Sequence, residues 1–241
     1  MTDSKRTVVL LPTYDEAENI VQMLDAIHAQ LPEADVAVID DNSPDGTGRL
    51  ADAYATEHDW VKVTHRPGKQ GLGVAYRFAY QWALDGGYER VIQMDCDFSH
   101  DPADLPRMAS LLDTYDLVIG SRRVPGGGCE GWPWYRNALS RGGSLYAQTI
   151  LGSPVTDLTS GFKGFDRSAL AKLPIHSLMT DGYGFQIEVT SHLVALGCSV
   201  HEMPIRFADR ERGKSKMSSR IMVEAAGMVW KIRSELRRRY D

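Results

Sequence analysis

The sequence predicts an α/β fold in which helices flank a mainly parallel central sheet. Short apolar segments alternate with helix-like segments through the first half of the 241-residue chain, a pattern typical of βαβ units. These apolar segments contain few polar residues, as expected for strands whose two faces are both covered. Polar and acidic residues follow them, which places those residues together at one edge of the predicted sheet.

The elements of the first half follow from periodicity and from their end residues. The predicted strands cover residues 7–12, 35–40, 60–65, 90–95 and 116–121. The predicted helices cover residues 16–31, 45–58, 71–87 and 101–115. In the first helix, apolar residues recur at helical spacing at Ile20, Val21, Leu24, Ile27 and Leu31. Pro12 stops the first strand, and Gly86 and Gly87 end the third helix.

The pattern changes after residue 120. The predicted elements are a Gly-rich aromatic loop at 124–136, a helix at 137–151, a polar turn at 157–166, a helix at 182–197, a strand at 198–207, a basic loop at 208–219 and an amphipathic helix at 220–240. The pair Gly142–Gly143 is expected to interrupt the first of these helices. We therefore expect one globular domain over residues 1–217, followed by a helical segment over residues 218–241.

Composition excludes several classes of protein. The net charge of −5 gives no indication of nucleic-acid binding. Cys96, Cys129 and Cys198 show no C-x-x-C spacing, which fits a reduced cytosolic protein better than a disulfide framework or a zinc site. No apolar run has the length of a signal peptide or of a transmembrane helix. Basic residues crowd the region 206–239, which indicates an anionic partner or a membrane surface.

Two aspartates one residue apart end the fourth predicted strand, in the stretch "VIQMDCDFSHDP". Asp95 and Asp97 repel each other when both are ionised, and a divalent cation would offset that repulsion. An ordinary turn is the alternative, because Asp, Ser and Pro are common loop residues. The carboxyl ends of three other strands read "PTYDE", "DDNSPDG" and "GSRR". Three of the four ends therefore carry carboxylates, and this concentration at one edge favours the metal site.

Other ligand motifs are missing. The position of a dinucleotide fingerprint, after the first strand, holds "PTYDEAEN". The segment "ADRERGKS" at 208–215 departs from a P-loop because Ala208 replaces its first glycine, and no G-x-S-x-G is present.

Eight blocks in order carry a family resemblance: "PTYDEAENI", "IDDNSPDGTG", "GLGVAY", "DCDFSHDP", "GSRRVPGG", "WPWYRNALSRGGSLYA", "DLTSGFKGF" and "DRERGKSK". Together they resemble the polyprenol- and dolichol-phosphate mannose synthases, which are inverting glycosyltransferases of family 2 with the Rossmann-like GT-A fold. The resemblance covers residues 7–217. It implies a catalytic domain that transfers mannose from GDP-mannose to a polyprenyl phosphate.

In that family the D-x-D aspartates hold Mg²⁺ or Mn²⁺ against the diphosphate of the donor, which assigns this role to Asp95 and Asp97. Residues two apart in an extended segment face the same side, so both carboxylates can meet one ion while Cys96, which lies within the same nucleotide-sugar site, points away and packs. Ser99 is a further candidate ligand, because some relatives supply a metal ligand at its position.

The nucleotide pocket of the family corresponds to Pro12, Tyr14, Glu16, Asp40 and Asp41 in this sequence. Tyr14 can stack on a purine, and the carboxylates can accept hydrogen bonds from guanine and ribose. The motif departs from the commoner "PTYNE" by having aspartate at position 15. Helix capping by Asp41 and a first-turn helix charge at Glu16 are the structural alternatives.

The resemblance assigns the lipid phosphate to Arg122, Arg136, Ser140, Arg210 and Lys216. Arginine binds phosphate through a planar fork and keeps its charge. A solvated surface charge is the alternative for each cation. The predicted catalytic residues are Asp95, Asp97, Arg122 and Arg210.

The acceptor phosphate is already anionic near neutral pH, so the predicted mechanism needs no general base. The segment 218–241 is expected to lie on the cytoplasmic face of a membrane or, alternatively, to pack on the domain. Trp132 and Trp134 are candidates for lipid contact, and a separate membrane-anchoring protein is a possible partner. The competing functions are transfer from UDP-glucose or another donor, a non-catalytic sugar-nucleotide-binding module, and a nucleotidyltransferase.

Overall fold

A computed structural model describes residues 5–209 and 219–240. Within these ranges, seven strands form one sheet in the order β3-β2-β1-β4-β7-β5-β8. These strands are β1 (Thr7–Thr13), β2 (Asp35–Asp40), β3 (Val61–His65), β4 (Arg90–Gln93), β5 (Leu117–Ser121), β7 (Lys163–Asp166) and β8 (Val200–Pro204). All neighbours are parallel except β7, which is antiparallel to β4 and β5. Two short parallel strands, β6 (Gly128–Cys129) and β9 (Arg206–Phe207), form a separate ribbon.

Eight α-helices are described. They are α1 (Ile20–Gln30), α2 (Thr47–Glu57), α3 (Leu72–Asp85), α4 (Leu105–Leu111), α5 (Trp134–Leu151), α6 (Arg167–Lys172), α7 (Tyr183–Ala195) and α8 (Ser219–Tyr240). The strands and helices predicted in the first half are all present, with ends shifted by a few residues. None of the described helices has the length and hydropathy needed to cross a bilayer.

The core lies on both faces of the sheet, as the uniformly apolar strands predict. In β1, Val8 and Leu10 pack on the side of α3, whereas Val9 and Leu11 pack on the side of α1. Successive strand residues point to opposite faces, so a strand covered on both faces has no polar position. The result is a sheet between two helical layers, and in the central strands β1, β2, β4 and β5 the polar residues lie at the strand ends.

Two predictions for the second half are wrong. Residues 157–166, expected as a polar turn, contain β7 in the middle of the sheet. Gly142 and Gly143 do not interrupt α5, which runs unbroken from Trp134 to Leu151. A Cβ atom at either glycine would meet nothing within 4 Å, so the pair lies on an open face of the helix.

The C-terminal helix α8 packs on the domain through its second half. Val229 and Ile232 are buried in the same core cluster as α3. The hydroxyl of Tyr240 lies 2.9 Å from Nδ1 of His192 on α7, and Nη1 of Arg233 donates to the carbonyl of Ile150 on α5 at 2.7 Å. The boundary expected at residue 217 lies outside the described residues.

Candidate active site

The predicted site lies where the parallel strands end. Thr13 at the end of β1 pairs with Asp40 at the end of β2, and the N–H of Asp41 donates to the Thr13 carbonyl at 3.1 Å. The N–H of Arg66, just after β3, donates to the Asp40 carbonyl at 2.8 Å. Backbone hydrogen bonds therefore join the loops after β1, β2 and β3 at one edge of the sheet.

The buried carboxylate of Asp40 connects the ends of β1 and β2 through hydrogen bonds. Asp40 is 2% exposed and accepts hydrogen bonds from the Thr13 hydroxyl at 3.1 Å and from the N–H and hydroxyl of Ser43 at 3.1 and 2.5 Å. Nδ1 of His65 lies 3.7 Å from the same carboxylate. These contacts fix the loop after β2, and direct contact of Asp40 with a nucleotide stays a prediction.

Asp41 forms a buried ion pair with Arg66, at 2.5 Å between Oδ1 and Nη1. Burial raises the pKa of Asp41, against the lowering effect of the Arg66 charge beside it. Nη2 of the Arg66 guanidinium donates to Oε1 of Gln70 at 3.3 Å. Arg66 was not predicted as a site residue, because a single arginine after a strand cannot be told from a surface charge in the sequence. The pair places an acceptor and a donor side by side just after β2 and β3.

Tyr14 and Glu16 lie in the turn that joins β1 to α1, beyond Pro12. Nζ of Lys69 lies 3.8 Å from the centroid of the Tyr14 ring, so one face of that ring contacts a cation. Asn19 donates to the Glu16 carboxylate at 2.8 Å. The second contact supports the alternative in which Glu16 stabilises the start of α1, and the nucleotide contacts of Tyr14 and Glu16 stay predictions.

The D-x-D loop follows β4. Cys96 is 2% exposed and packs in the core on the α1 side, as predicted for a residue that points away from the site. Asp97 is 5% exposed, and its Oδ1 accepts from the N–H of Ser99 at 3.0 Å. The N–H of Asp95 donates to Nδ1 of His100 at 3.2 Å. The loop is therefore held by its own hydrogen bonds.

Backbone strain concentrates in the same three loops. The non-glycine residues with positive φ among the described residues are Asp15 (φ 59°), Asn42 (φ 55°) and Phe98 (φ 58°). They lie after β1, β2 and β4 respectively. Asp and Asn tolerate the left-handed region, whereas a bulky Phe there is unusual. Strained residues of this kind cluster at ligand sites, where the surrounding structure holds them.

The residues present fit a hard divalent cation. Asp95 and Asp97 supply carboxylate oxygens, the ligands that Mg²⁺ and Mn²⁺ prefer. The hydroxyl of Ser99 is buried and makes no hydrogen bond within the described ranges, which leaves an oxygen available beside the two acids. Residues 5–209 and 219–240 contain no group of three or more His, Cys, Asp or Glu suited to a metal. An ion here would share its remaining positions with phosphate and water.

Arg122, at the end of β5, is held by a buried acid that sequence reasoning missed. Its Nε and Nη2 donate to the two oxygens of Asp157 at 2.8 and 2.7 Å, and its backbone N–H donates to Asp157 Oδ2 at 3.0 Å. Nη2 also donates to the Thr159 hydroxyl at 2.8 Å. Burial alone would raise the pKa of Asp157, but the charge and hydrogen bonds of Arg122 outweigh it and hold that pKa at about 2.

Ser140, predicted to contact the lipid phosphate, is paired with an arginine that was not predicted. Nη2 of Arg123 donates to the Ser140 hydroxyl at 2.5 Å, and Nη1 donates to Oδ1 of Asn137 at 3.1 Å. Burial lowers the pKa of Arg123, and its Nε is buried without a hydrogen bond among the described residues. Arg123 therefore belongs to the candidate acceptor side of the site.

Arg136, the other predicted phosphate ligand within the described ranges, forms an ion pair with Asp209 at 3.0 Å. Its guanidinium lies 4.0 Å from the centroid of the Trp132 ring. Burial raises the pKa of the Cys129 thiol, against the lowering effect of the charges of Arg122, Arg123 and Arg136. The predicted residues Arg210 and Lys216 lie outside the described residues.

Known proteins resemble this chain over most of its length. The model of the glycosyl transferase family 2 matches residues 8–173. An undecaprenyl-phosphate mannosyltransferase from Micrococcus luteus is 44% identical over 220 residues, covering 91% of this chain and 90% of the relative. A polyprenol monophosphomannose synthase from Mycolicibacterium smegmatis is 42% identical over 239 residues, covering 98% of this chain and 90% of the relative.

Solved structures share the fold at low identity. Glucosyl-3-phosphoglycerate synthase from Mycobacterium tuberculosis, in complex with Mn²⁺, UDP and phosphoglyceric acid, has a TM-score of 0.69 at 19% identity, over 97% of this chain and 78% of that chain. A mannosyltransferase from Pyrobaculum calidifontis, in complex with GDP-Man and Mn²⁺, has a TM-score of 0.60 at 18% identity, over 98% and 74%. The sheet, the family match and these neighbours agree: the chain has the GT-A fold and belongs to glycosyltransferase family 2.

Proposed function

We propose that this glycosyltransferase transfers mannose from GDP-mannose to a polyprenyl phosphate, with inversion at the sugar carbon. The observation that carries the proposal is the division of charge along one sheet edge. Carboxylates follow β1, β2 and β4, whereas arginines follow β5 and the loop beyond it. Such an edge suits a cation-bound nucleotide diphosphate on one side and a free phosphate on the other. The names of the two relatives above 40% identity support the same reaction.

On the donor side, Asp95 and Asp97 would hold Mg²⁺ or Mn²⁺, with the Ser99 hydroxyl as a third oxygen. Bound there, the cation would neutralise charge that develops on the departing diphosphate. The buried pair of Asp41 and Arg66 offers complementary hydrogen-bonding groups to a base. Solved structures of similar fold that contain Mn²⁺ support a divalent ion at this site. We propose that the ion is Mg²⁺ or Mn²⁺.

On the acceptor side, a phosphate oxygen forms a bond to C1 of mannose while the bond from C1 to the GDP oxygen breaks. The electron pair of that bond leaves with GDP. A phosphate monoester has a second pKa of about 6, so the nucleophile is already anionic and no general base is needed. The work left to the chain is to orient the acceptor and to offset repulsion between two anions.

Arg122 is well suited to that orienting role because its position is fixed before any ligand binds. The carboxylate of Asp157 is fully buried and accepts hydrogen bonds from Nε and Nη2 on one edge of the guanidinium. Arg123 and Arg136 add charge nearby, and Arg210 and Lys216 complete the set that we propose for the acceptor. In this proposal Asp95, Asp97, Arg122 and Arg210 are the catalytic residues.

A lipid acceptor requires access to a membrane, and α5 offers a suitable surface. On this helix, Trp134, Tyr135 and Leu145 are 82%, 61% and 63% exposed. The hydroxyl of Tyr146, also on α5, accepts a hydrogen bond at 3.0 Å from Nε1 of Trp230, a half-exposed residue of α8. Interfacial aromatic residues favour the headgroup region of a bilayer. We propose that the chain associates peripherally with the cytoplasmic face of a membrane, alone or through a separate anchoring protein.

A transfer assay tests the reaction. The full chain is incubated with Mn²⁺ or Mg²⁺, a polyprenyl phosphate and either GDP-mannose or UDP-glucose, and the lipid product is identified by mass. We expect polyprenyl-phosphate mannose from GDP-mannose, and a loss of at least about a hundredfold in Asp97→Asn. Asp101→Asn is the matched control, because Asp101 only caps a short helix, where Asn caps equally well.

Three outcomes would contradict the proposal. A product formed from UDP-glucose and not from GDP-mannose would show that the donor is wrong, although the fold and the metal site would stand. Binding of GDP-mannose without turnover, under every acceptor tested, would favour a sugar-nucleotide-binding module. Full activity in Asp97→Asn would remove the D-x-D motif from the mechanism.

A further inference from the structure

The hydroxyl of Tyr76 has no hydrogen-bond partner among the described residues, although it is fully buried. Tyr76 belongs to α3, in the block "GLGVAY" that the proposed reaction leaves without a role. Buried hydroxyls are almost always hydrogen-bonded, because an unpaired polar group inside a protein is destabilising. A phenylalanine would fill the same space without that penalty. The retained hydroxyl therefore requires an explanation.

The neighbouring turn of α3 shows where this hydroxyl lies. One turn further along the helix, the hydroxyl of Tyr80 donates to the side-chain carbonyl of Gln93 at the end of β4. Because α3 connects parallel strands, it runs against their direction. One helical turn rises about 5.4 Å, close to the advance of two strand residues, about 6.6 Å. Tyr80 meets Gln93, so Tyr76 comes level with Asp95.

Electrostatics agrees with this ladder of contacts. Burial is the main cause that raises the pKa of the Tyr76 hydroxyl well above its usual value, and the negative charge of Asp95 is the next largest cause, ahead of Tyr80 and Asp97. The tyrosine is therefore near both acids of the D-x-D motif. A tyrosine hydroxyl can donate a hydrogen bond to a carboxylate oxygen.

The ring of Tyr76 is locked by its neighbours. It stacks on Phe185 of α7 with 5.9 Å between ring centroids and an angle of 5° between the planes. It also stacks on Tyr80 at 5.8 Å. A ring held on two sides cannot swing its hydroxyl toward solvent. The donor is fixed in direction before any ligand arrives, as positioning groups around metal ligands usually are.

We infer that Tyr76 is a positioning residue that donates a hydrogen bond to the metal-holding carboxylates, Asp95 first, when the cation and the donor diphosphate are bound. The inference rests on the proposed function, because it requires a cation at Asp95 and Asp97. An O–H donor behind a ligating carboxylate fixes which oxygen faces the ion and offsets the repulsion between the two acids. Because an unpaired buried hydroxyl lowers stability, a role in binding the cation would account for its presence.

The test compares Tyr76→Phe with Tyr80→Phe, two buried tyrosines one turn apart. The thermal midpoint is measured in chelator, and Mn²⁺ dissociation constants are measured by electron paramagnetic resonance with and without GDP. Removal of the unpaired Tyr76 hydroxyl is expected to leave the midpoint unchanged or raise it, while Mn²⁺ affinity falls roughly tenfold. Removal of the Tyr80 hydroxyl takes away the hydrogen bond to the side-chain carbonyl of Gln93, so we expect the thermal midpoint to fall. Mn²⁺ affinity should stay within about twofold of the wild-type value.

A second measurement needs no destabilised variant. Protein labelled with 3-fluorotyrosine is titrated with Mg²⁺ and GDP, and the fluorine resonance of Tyr76 is assigned by its absence in Tyr76→Phe. We expect that resonance to move on ligand binding, because the hydroxyl gains an acceptor. A resonance that stays in place, together with wild-type Mn²⁺ affinity in Tyr76→Phe, overturns the inference and leaves the proposed function intact. Wild-type protein that binds no Mn²⁺ at all overturns both.

Discussion

The buried pair of Arg122 and Asp157 leads to a specific prediction for Asp157→Asn. Asp157 is fully buried and accepts three hydrogen bonds from Arg122, at 2.7–3.0 Å. The asparagine has nearly the same shape, but it carries no charge and turns an amide N–H₂ toward a guanidinium. Arg122 would then lose the charge of the buried carboxylate that it pairs with. We expect both a loss of stability and a loss of transfer activity.

The pKa of Asp157 gives the scale of the stability effect. Its fall from 3.8 to about 2 corresponds to about 2.5 kcal/mol, at about 1.4 kcal/mol for each pKa unit. Breaking a buried pair by removing one partner typically costs about 3–5 kcal/mol. We therefore expect the free energy of unfolding of Asp157→Asn to fall by about 3 kcal/mol at pH 7. Because the pKa is lowered by folding, the wild type loses this contribution as the pH drops from about 4 to about 2.

Urea denaturation at pH 7 and at pH 3 measures both quantities. The difference between wild type and Asp157→Asn should be largest at pH 7 and smaller at pH 3. Asp113→Asn is the matched control, because Asp113 also pairs with an arginine, Arg90, but is half exposed. Its substitution should change the free energy of unfolding by at most about 1 kcal/mol. A loss below 1 kcal/mol in Asp157→Asn, or one that is equal at both pH values, would refute the reasoning.

Three other variants give independent tests. Burial lowers the pKa of Lys163 from 10.5 to about 7, so wild-type stability should rise by about 1.4 kcal/mol per pH unit between those values, and urea titrations of Lys163→Met should lack that slope. A Cβ at Gly127 would lie 2.5 Å from the backbone oxygen of Ser121, so Gly127→Ala should lower the free energy of unfolding by about 1–3 kcal/mol in the same assay. Replacing exposed Trp134 and Tyr135 by Ala should reduce flotation with anionic liposomes several-fold, yet leave transfer to a short soluble prenyl phosphate unchanged.

Each of these variants has a control. Lys172→Met removes an exposed lysine and should keep the slope between pH 7 and 10.5. Gly142→Ala adds a Cβ that meets nothing within 4 Å and should stabilise α5 by up to about 1 kcal/mol. Leu50→Ala removes an exposed apolar side chain from α2 and should leave liposome binding unchanged. A slope retained in Lys163→Met, full stability in Gly127→Ala, or equal flotation of the Trp134 and Leu50 variants would contradict the corresponding argument.

The order of elements was predictable because periodicity reports how a segment is covered. Val8 to Leu11 are all apolar because alternate residues pack on opposite helical layers, and this pattern is visible without coordinates. The strand β7 was missed because it is four residues long and contains Gly164 and Lys163. Its place between β4 and β5 is set by pairing with distant segments, which a local pattern does not contain.

The candidate site was predictable only where chemistry is concentrated in one loop. Asp95 and Asp97 stand out because adjacent acids after a buried strand need compensation. Partners from distant segments do not stand out: Asp157 is 35 residues from the arginine it holds, and Arg66 is 25 residues from Asp41. The orphaned hydroxyl of Tyr76 is also invisible in sequence, since an apolar helix face tolerates tyrosine and phenylalanine alike.

The most direct test of the central claim is a calorimetric titration of the protein with GDP-mannose. The proposed mechanism requires a divalent ion that Asp95 and Asp97 would hold against the donor diphosphate. Donor affinity should therefore be at least about tenfold higher with Mn²⁺ than with excess chelator, and Asp95→Asn should abolish that difference. Equal affinity in metal and in chelator, or a metal effect that survives in Asp95→Asn, would contradict it.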